Sequence, residues 1–130
     1  MNITTHRDID QKLCGTPIFA GNGKSSVRLR TEKQMSADDT GLVHGGFVFG
    51  MADYAAMLAV NHPHVVLGSA ETRFLKPVRV GEILEAHASV EDESGKKRHV
   101  AVSVFRDDTE VFTGNFLCFV LEEHPLAPQK

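Results

Sequence analysis

An apolar segment, residues 41–60, carries a single acidic side chain, Asp53, and constrains the fold more than any other feature. From Gly46 to Val60 it consists mainly of Ala, Met, Leu, Val and Phe, with no proline before Pro63, and this composition predicts an α-helix. Apolar residues lie on nearly every side of that helix, so we expect it to be buried almost all round. The segment is too short, and too interrupted by Asp53 and glycines, to span a bilayer.

Two groups on this helix suggest chemistry. Gly45 and Gly46 begin its first turn, where backbone N–H groups lack intrahelical partners and can meet an anion or a polarised carbonyl oxygen. Asp53 comes seven residues after Gly46, which places it about 10 Å further along the helix axis. One helix therefore cannot bring both groups to one carbon atom. Two such helices, antiparallel in a dimer, could do so and would create two sites at the interface.

The rest of the chain predicts an antiparallel sheet. The segment from Cys14 to Gly23 is expected to be irregular, and turn residues separate the later strands. An α+β fold, with a five- to six-stranded sheet around one long central helix, accounts for this order. Open edges of such a sheet favour pairing of two copies across a two-fold axis. The predicted strands alternate in polarity or are rich in strand formers: residues 24–33, 65–77, 82–91, 99–106 and 111–121.

Length and charge narrow the class of protein. The 130 residues predict one soluble domain, with an N-terminal arm at residues 1–12 and a flexible tail at residues 122–130. The net charge of −3 disfavours nucleic-acid binding, because proteins that bind nucleic acid usually carry an excess of basic residues. Cys14 and Cys118 show no metal spacing, and the chain start shows no signal-peptide pattern. We therefore expect a reducing, cytoplasmic setting in which both thiols are packing residues.

Three short motifs are better explained without a function. Residues 23–25 suggest a phosphate loop, but Ile18 stands where that motif requires a glycine, and a strand follows. His62 and His64 resemble a metal pair without a further clustered ligand, so we expect a solvated loop and no metal site. The basic residues 96–98 are expected to form a solvated hairpin tip, with phosphate binding as the alternative.

Two motifs resemble the hotdog-fold acyl-CoA thioesterases, especially those of the phenylacetate-pathway type. The first, residues 41–55, contains His-Gly-Gly with an acid nine residues after the histidine. The second is Phe-Leu-Lys-Pro-Val-Arg-Val-Gly-Glu at residues 74–82. The resemblance extends from about residue 24 to residue 121 and implies a homodimer, or a tetramer of two dimers, that hydrolyses acyl- or aryl-CoA. It implies no metal or redox cofactor, because coenzyme A is part of the substrate.

The resemblance also implies roles for individual residues. Asp53 becomes the catalytic general base or nucleophile, and Gly46 donates a backbone N–H to the thioester carbonyl oxygen. His44 becomes a positioning residue. Further candidates come from the residues themselves: Gly45 for binding substrate, and Ser69, at the head of the second predicted strand, for orienting water. Three cations are candidates for holding the phosphates of coenzyme A: Arg73, Lys76 and Arg79.

The sequence departs from the family pattern in one place and leaves alternatives open. Many relatives carry an asparagine shortly before the His-Gly-Gly, where this chain has Asp-Asp-Thr-Gly at residues 38–41. Related hotdog domains bind acyl-CoA without hydrolysing it, so a non-catalytic acyl-CoA-binding module is the alternative function. A hydratase is disfavoured, because the paired acid pattern of a dehydration site does not follow His44. Four residues are candidates for lining the pocket or for ordinary core: Phe47, Phe49, Met57 and Phe74.

Overall fold

The computed structural model describes residues 1–128, which form one long helix and a sheet of six strands. The long helix, α2, spans Gly45–Val60, and a one-turn helix, α1, spans Gln11–Cys14. A 3₁₀ turn, Lys33–Met35, precedes α2. The strands are β1 (Thr16–Gly21), β2 (Lys24–Arg30), β3 (Val65–Phe74), β4 (Ile83–Ser94), β5 (Lys97–Arg106) and β6 (Thr109–Val120).

The sheet wraps around α2. All neighbouring strands pair antiparallel, in the order β1-β2-β4-β5-β6-β3, so β3 is an edge strand. Alternate positions of the central strands point at the helix and are buried, as Val27, Leu84, Val102 and Phe116 show. Val100, Val102 and Val104 are core residues, as their alternation predicts. This architecture confirms the predicted hotdog fold.

Strand β1 was not expected, because residues 14–23 were predicted to be irregular. Asn22 and Gly23 adopt positive φ angles of 55° and 74°, and they form the tight turn that joins β1 to β2. The pairing shifts register between Pro17 and Phe19. That irregularity removes the strict alternation by which a strand is recognised. The turn signal was therefore a hairpin signal, and the prediction of an irregular segment was wrong.

The prediction that α2 is buried almost all round was also only partly right. Nine of its residues are buried, but four positions that share one side of the helix are not. Gly46 is exposed, while Phe49, Gly50 and Asp53 are partly exposed. We call these four residues the open flank of α2. The edge strand β3 lies beside it, and the two candidate chemical groups both belong to it.

The N-terminal arm is attached to the end of α2. Asn61 ends the helix in a left-handed conformation, with φ at 51°. Its side-chain oxygen accepts a hydrogen bond from the Thr4 backbone N–H at 2.8 Å, and its amide nitrogen donates to the Asn2 carbonyl oxygen at 2.8 Å. The next residue along the arm, Thr5, is only 4% exposed. These contacts hold the arm against the helix.

The C-terminal segment has no regular structure in the part that the structure describes. Residues 121–128 form neither helix nor strand, and most of them are exposed. The last two residues of the predicted flexible tail, 129 and 130, lie outside the described residues. Within residues 1–128, no helix is long and apolar enough to cross a membrane.

Candidate active site

Asp53 is an acid held where burial penalises its charge. Its Oδ1 atom is buried and has no hydrogen-bond partner among residues 1–128. Burial raises the pKa of the Asp53 carboxyl from 3.8 to about 6. At neutral pH such a carboxylate is mostly ionised yet basic enough to accept a proton, as a general base requires.

A cavity of about 370 Å³ contains this carboxyl group. One part of its wall is apolar and comes from the end of α2 and the start of β3. The other part comes from the two terminal segments of the chain. The residues around Asp53 are Thr5, His6, Met57, Pro63, Val65, Val66, Leu67, His124 and Pro125.

Neither thiol near Asp53 is a nucleophile at neutral pH. Burial, and then the charge of Asp53, raise the pKa of Cys118 to about 12. Burial also raises the pKa of Cys14, with smaller contributions from Asp10 and Asp53. Because the thiolate is the reactive form, both shifts disfavour a reaction at sulfur, and Cys118 is a buried core residue whereas Cys14 is half-buried.

The start of α2 offers free backbone donors. Within residues 1–128, the N–H groups of Gly45 and Gly46 have no hydrogen-bond partner outside the helix, and their place in the first turn leaves them none inside it. A Cβ atom on Gly45 would lie 3.0 Å from the Phe74 ring, so this glycine permits close packing. A Cβ atom on Gly46 would meet only the exposed His44 ring, at 3.1 Å. Gly46 is therefore the more accessible donor.

A second cavity, of about 330 Å³, lies beside this helix start. Lys76 lines it together with Gly45 and Phe74, so the structure brings these predicted residues together. Neither Gly46 nor Asp53 lines this cavity. The other lining residues are apolar: Val43, Val48, Leu75, Pro77, Val78 and Val111.

The remaining predicted substrate-binding residues lie elsewhere. Arg79 lines a third cavity, of about 410 Å³, with Thr40, Glu82 and Arg106. Ser69 and Arg73 are exposed on β3 and line none of these three cavities. The structure therefore brings only Lys76, of the three predicted cations, to the helix start.

The residues predicted to line the pocket have different surroundings in the structure. Phe49 packs on the core residue Phe116, with ring centroids 5.6 Å apart, and is partly exposed on the open flank. Phe47 meets the His44 ring edge-on at 6.2 Å. His44 itself precedes α2 and is exposed, and its side chain makes no capping hydrogen bond. Met57 lines the Asp53 cavity.

The histidine pair and the basic residues 96–98 lie in a loop and at a hairpin turn. The His62 and His64 rings lie 5.6 Å apart, and no third potential ligand joins them among the described residues. At the β4–β5 turn, Arg98 donates to the Gly95 carbonyl oxygen at 2.7 Å.

His6 and His124 line the Asp53 cavity although no sequence motif singled them out. They come from opposite ends of the chain, so no local pattern could have associated them with Asp53.

Comparison with solved structures supports the fold. An uncharacterized protein from Pyrococcus horikoshii is 51% identical, with a TM-score of 0.96 and a match covering 97% of each chain. A mutant of the phenylacetic acid degradation protein PaaI from Thermus thermophilus is 25% identical, with a TM-score of 0.78. That match covers 84% of this chain and 95% of the other.

Curated relatives carry different names and are longer. The methylthioribose-1-phosphate isomerase of Aquifex aeolicus is 50% identical over 93% of this chain but only 26% of that protein. The transcription factor FapR of Caldanaerobacter subterraneus is 33% identical over 65% of this chain and 42% of that protein. The chain thus spans less than half the length of either protein.

The family model described as "Thioesterase superfamily" matches residues 40–113, which include the start of α2, Asp53 and the edge strand β3. This range is more than half of the 130 residues and contains both motifs on which the resemblance depends. The chain therefore belongs to the thioesterase superfamily.

Proposed function

We propose that this protein hydrolyses acyl-CoA or aryl-CoA thioesters as a homodimer, or as a tetramer of two dimers. Asp53 of one copy is the general base or nucleophile, and the Gly46 N–H of the other copy binds the carbonyl oxygen. The observation that carries the proposal is Asp53, which lines a cavity, has one carboxyl oxygen, Oδ1, buried without a partner among residues 1–128, and has a pKa raised to about 6. Membership in the thioesterase superfamily supports the reaction class.

The position of β3 supports the shared site. Leu67, near the start of β3, lines the Asp53 cavity, while Phe74, at its end, packs against Gly45. The outer edge of β3 is unpaired within residues 1–128. If two β3 edges pair antiparallel about a two-fold axis near Ala70, Leu67 of one copy faces Phe74 of the other. Asp53 of one copy then comes near the start of α2 in the other.

The reaction uses these groups in sequence. The Gly46 N–H stabilises the negative charge that develops on the carbonyl oxygen. Asp53 either removes a proton from water or attacks the carbonyl carbon itself, after which the carbon–sulfur bond breaks and the thiolate leaves. Lys76, in the cavity beside Gly45, attracts the phosphates of coenzyme A, and His44 borders the Gly46 N–H as a positioning residue. The free thiols of Cys14 and Cys118 agree with the proposed cytoplasmic setting.

Thiol release from a panel of CoA esters tests the function. We expect measurable release from at least one member of a set with short-chain, long-chain and aromatic acyl groups. Thermal unfolding with each ester, measured in parallel, reports binding independently of turnover. A rise in melting temperature without thiol release from any ester would contradict hydrolysis.

Stabilisation by an ester without thiol release would favour a non-catalytic acyl-CoA-binding module. The observation that favours this candidate is the Asp-Asp-Thr-Gly at residues 38–41, where many relatives carry an asparagine shortly before the His-Gly-Gly. The buried Asp53 carboxyl argues against it, because a binding module has no use for an acid that destabilises its own site.

The pH dependence of kcat/KM should report the Asp53 carboxyl. The ionised form is the base or nucleophile, and its pKa is about 6. We expect kcat/KM to be constant above that pH and to fall about tenfold per pH unit well below it. A carboxylate with an ordinary pKa would retain full activity down to about pH 5. A flat profile between pH 5 and pH 8 would therefore contradict the assignment of Asp53.

A further inference from the structure

The N-terminal arm forms part of the wall of the Asp53 cavity. Thr5 and His6 line this cavity, although they precede Asp53 by more than forty residues. Thr4 fixes the arm, because its hydroxyl donates to the Asn61 carbonyl oxygen at 2.9 Å and its N–H donates to the Asn61 side chain. The arm is therefore anchored where it meets the cavity.

The backbone at His6 is held in an uncommon conformation. Its φ angle is 50°, in the left-handed region that non-glycine residues seldom adopt. The side chains of Thr5 and His6 are linked, with Thr5 Oγ1 2.7 Å from His6 Nδ1. Strained residues cluster at functional sites, where the surrounding structure holds a side chain in a required position. At His6 the anchored arm supplies that constraint.

The Thr5 hydroxyl selects the tautomer of the His6 imidazole. Thr5 is almost fully buried, and among residues 1–128 its hydroxyl makes no other side-chain hydrogen bond. If the hydroxyl oxygen accepted a hydrogen bond from Nδ1–H, the hydroxyl hydrogen would be buried without an acceptor, which is costly. The hydroxyl therefore donates to Nδ1, and the ring proton lies on Nε2. His6 is exposed over part of its surface, but desolvation of the remainder lowers its pKa and favours this neutral form.

We propose that His6 is a positioning residue of the active site, whose Nε2–H holds the water that Asp53 activates. The proposal rests on the proposed thioester hydrolysis. It joins two observations about one cavity: Asp53 and His6 both line it, and the contact of Thr5 with Nδ1 leaves the Nε2–H of the imidazole free to donate. A water molecule in the cavity that accepts from His6 can donate to Asp53 Oδ2, because Oδ1 is itself closed to solvent.

The step is balanced without a further reactant. His6 Nε2–H donates to a lone pair of the water, and one water proton passes to the Asp53 carboxylate as the new carbon–oxygen bond forms. The electron pair of the carbonyl moves to its oxygen. When the carbonyl re-forms, the carbon–sulfur bond breaks, and the thiolate leaves and takes up the proton from Asp53. If Asp53 instead attacks first, the same water hydrolyses the acyl-enzyme.

His124 faces the same cavity but is less suited to this role. It belongs to the exposed C-terminal segment, and its Nδ1 accepts from the Leu126 N–H at 3.0 Å, within that same segment. Among residues 1–128, no hydrogen bond between side chains ties His124 to a buried residue. His6 is therefore the better-fixed donor.

Substitution of His6 tests the proposal by a split between kcat and KM. Glycine suits a positive φ angle, so His6→Gly removes the ring while preserving the arm. We expect kcat to fall by about 10- to 100-fold and KM to change by less than about threefold. His6→Gln, whose amide nitrogen reaches about as far as Nε2, should recover part of kcat. His99→Ala, at an exposed position of β5, is the matched control.

The tautomer supplies a readout that needs no substrate. Nitrogen NMR of the parental protein should show the His6 proton on Nε2, and Thr5→Val should release that preference. Parental kcat in His6→Gly, or a proton on Nδ1 in the parental protein, would overturn the proposal. If His6→Gly is fully active while Asp53→Asn is inactive, the role of His6 fails and the proposed function stands. If the parental protein releases no thiol from any ester, both fail.

Discussion

Asp53→Asn should lower kcat for thiol release by about 10²- to 10⁴-fold, the usual contribution of a positioned general base. Asparagine keeps the size of the side chain but can neither accept the proton of water nor attack the carbonyl carbon. The expected KM changes little, since the carboxyl contacts the reacting centre rather than coenzyme A. Thiol release under saturating substrate is the measurement, with Asp108→Asn, at an exposed position of the β5–β6 turn, as the matched control.

Stability separates this loss of activity from loss of the fold. Because burial raises the pKa of Asp53 to about 6, its ionisation above that pH costs more in the folded state than in the unfolded state. Removing the carboxyl should therefore leave the melting temperature at pH 8 equal to or above that of the parent. An Asp53→Asn protein that melts like the parent and releases thiol at the parental rate would exclude Asp53 from the chemistry.

Mixing two inactive variants should restore activity. In a two-fold dimer with shared sites, one site combines Gly46 of the first copy with Asp53 of the second, and the other site has the reverse. Gly46→Pro removes the backbone N–H and is tolerated in the first turn of a helix. Gly46→Pro alone should lose about 10²- to 10³-fold in kcat. In a heterodimer with Asp53→Asn, one site has both groups intact and the other has neither.

The expected recovery of activity follows from random pairing of the two variants. Co-refolding equal amounts of the two variants makes about half of the dimers mixed, each with one intact site, so activity should reach about a quarter of the parental value. Gly46→Ala is the matched control, because it adds a Cβ atom near His44 but keeps the N–H. If each site were built from one chain only, the mixture would remain as inactive as its components.

Helix α2 and most strands were predictable because composition and polarity alternation act locally. The start of the helix was misplaced by one residue, and its end at Val60 was correct. Strand β1 was missed, since a register shift beside Pro17 disrupts the pattern that marks a strand. The open flank was missed for a different reason. Apart from Asp53 it consists of two glycines and a phenylalanine, and these residue types do not distinguish it from the sides that the sheet covers.

The candidate site shows more clearly that local sequence patterns do not reveal contacts between distant segments. Asp53 could be found because a lone acid in an apolar helix is costly wherever the chain folds. The predicted cations could not be ranked, because cavity walls are formed by segments far apart in sequence. Only Lys76 reaches the helix start, whereas Arg73 is exposed on β3. His6 was beyond sequence reasoning, because its contact with the Asp53 cavity depends on how the arm follows the end of α2.

The convergence of residues 5–6 and 124–125 on one cavity has a practical consequence for handling this protein. A peptide segment inserted beside residues 5–6 or 124–125 would lie next to the cavity and compete with substrate for it. The β4–β5 turn at Gly95 is a better place to insert an affinity epitope. It is exposed, and it does not line the Asp53 cavity. Kinetic constants should therefore be measured on untagged or internally labelled material.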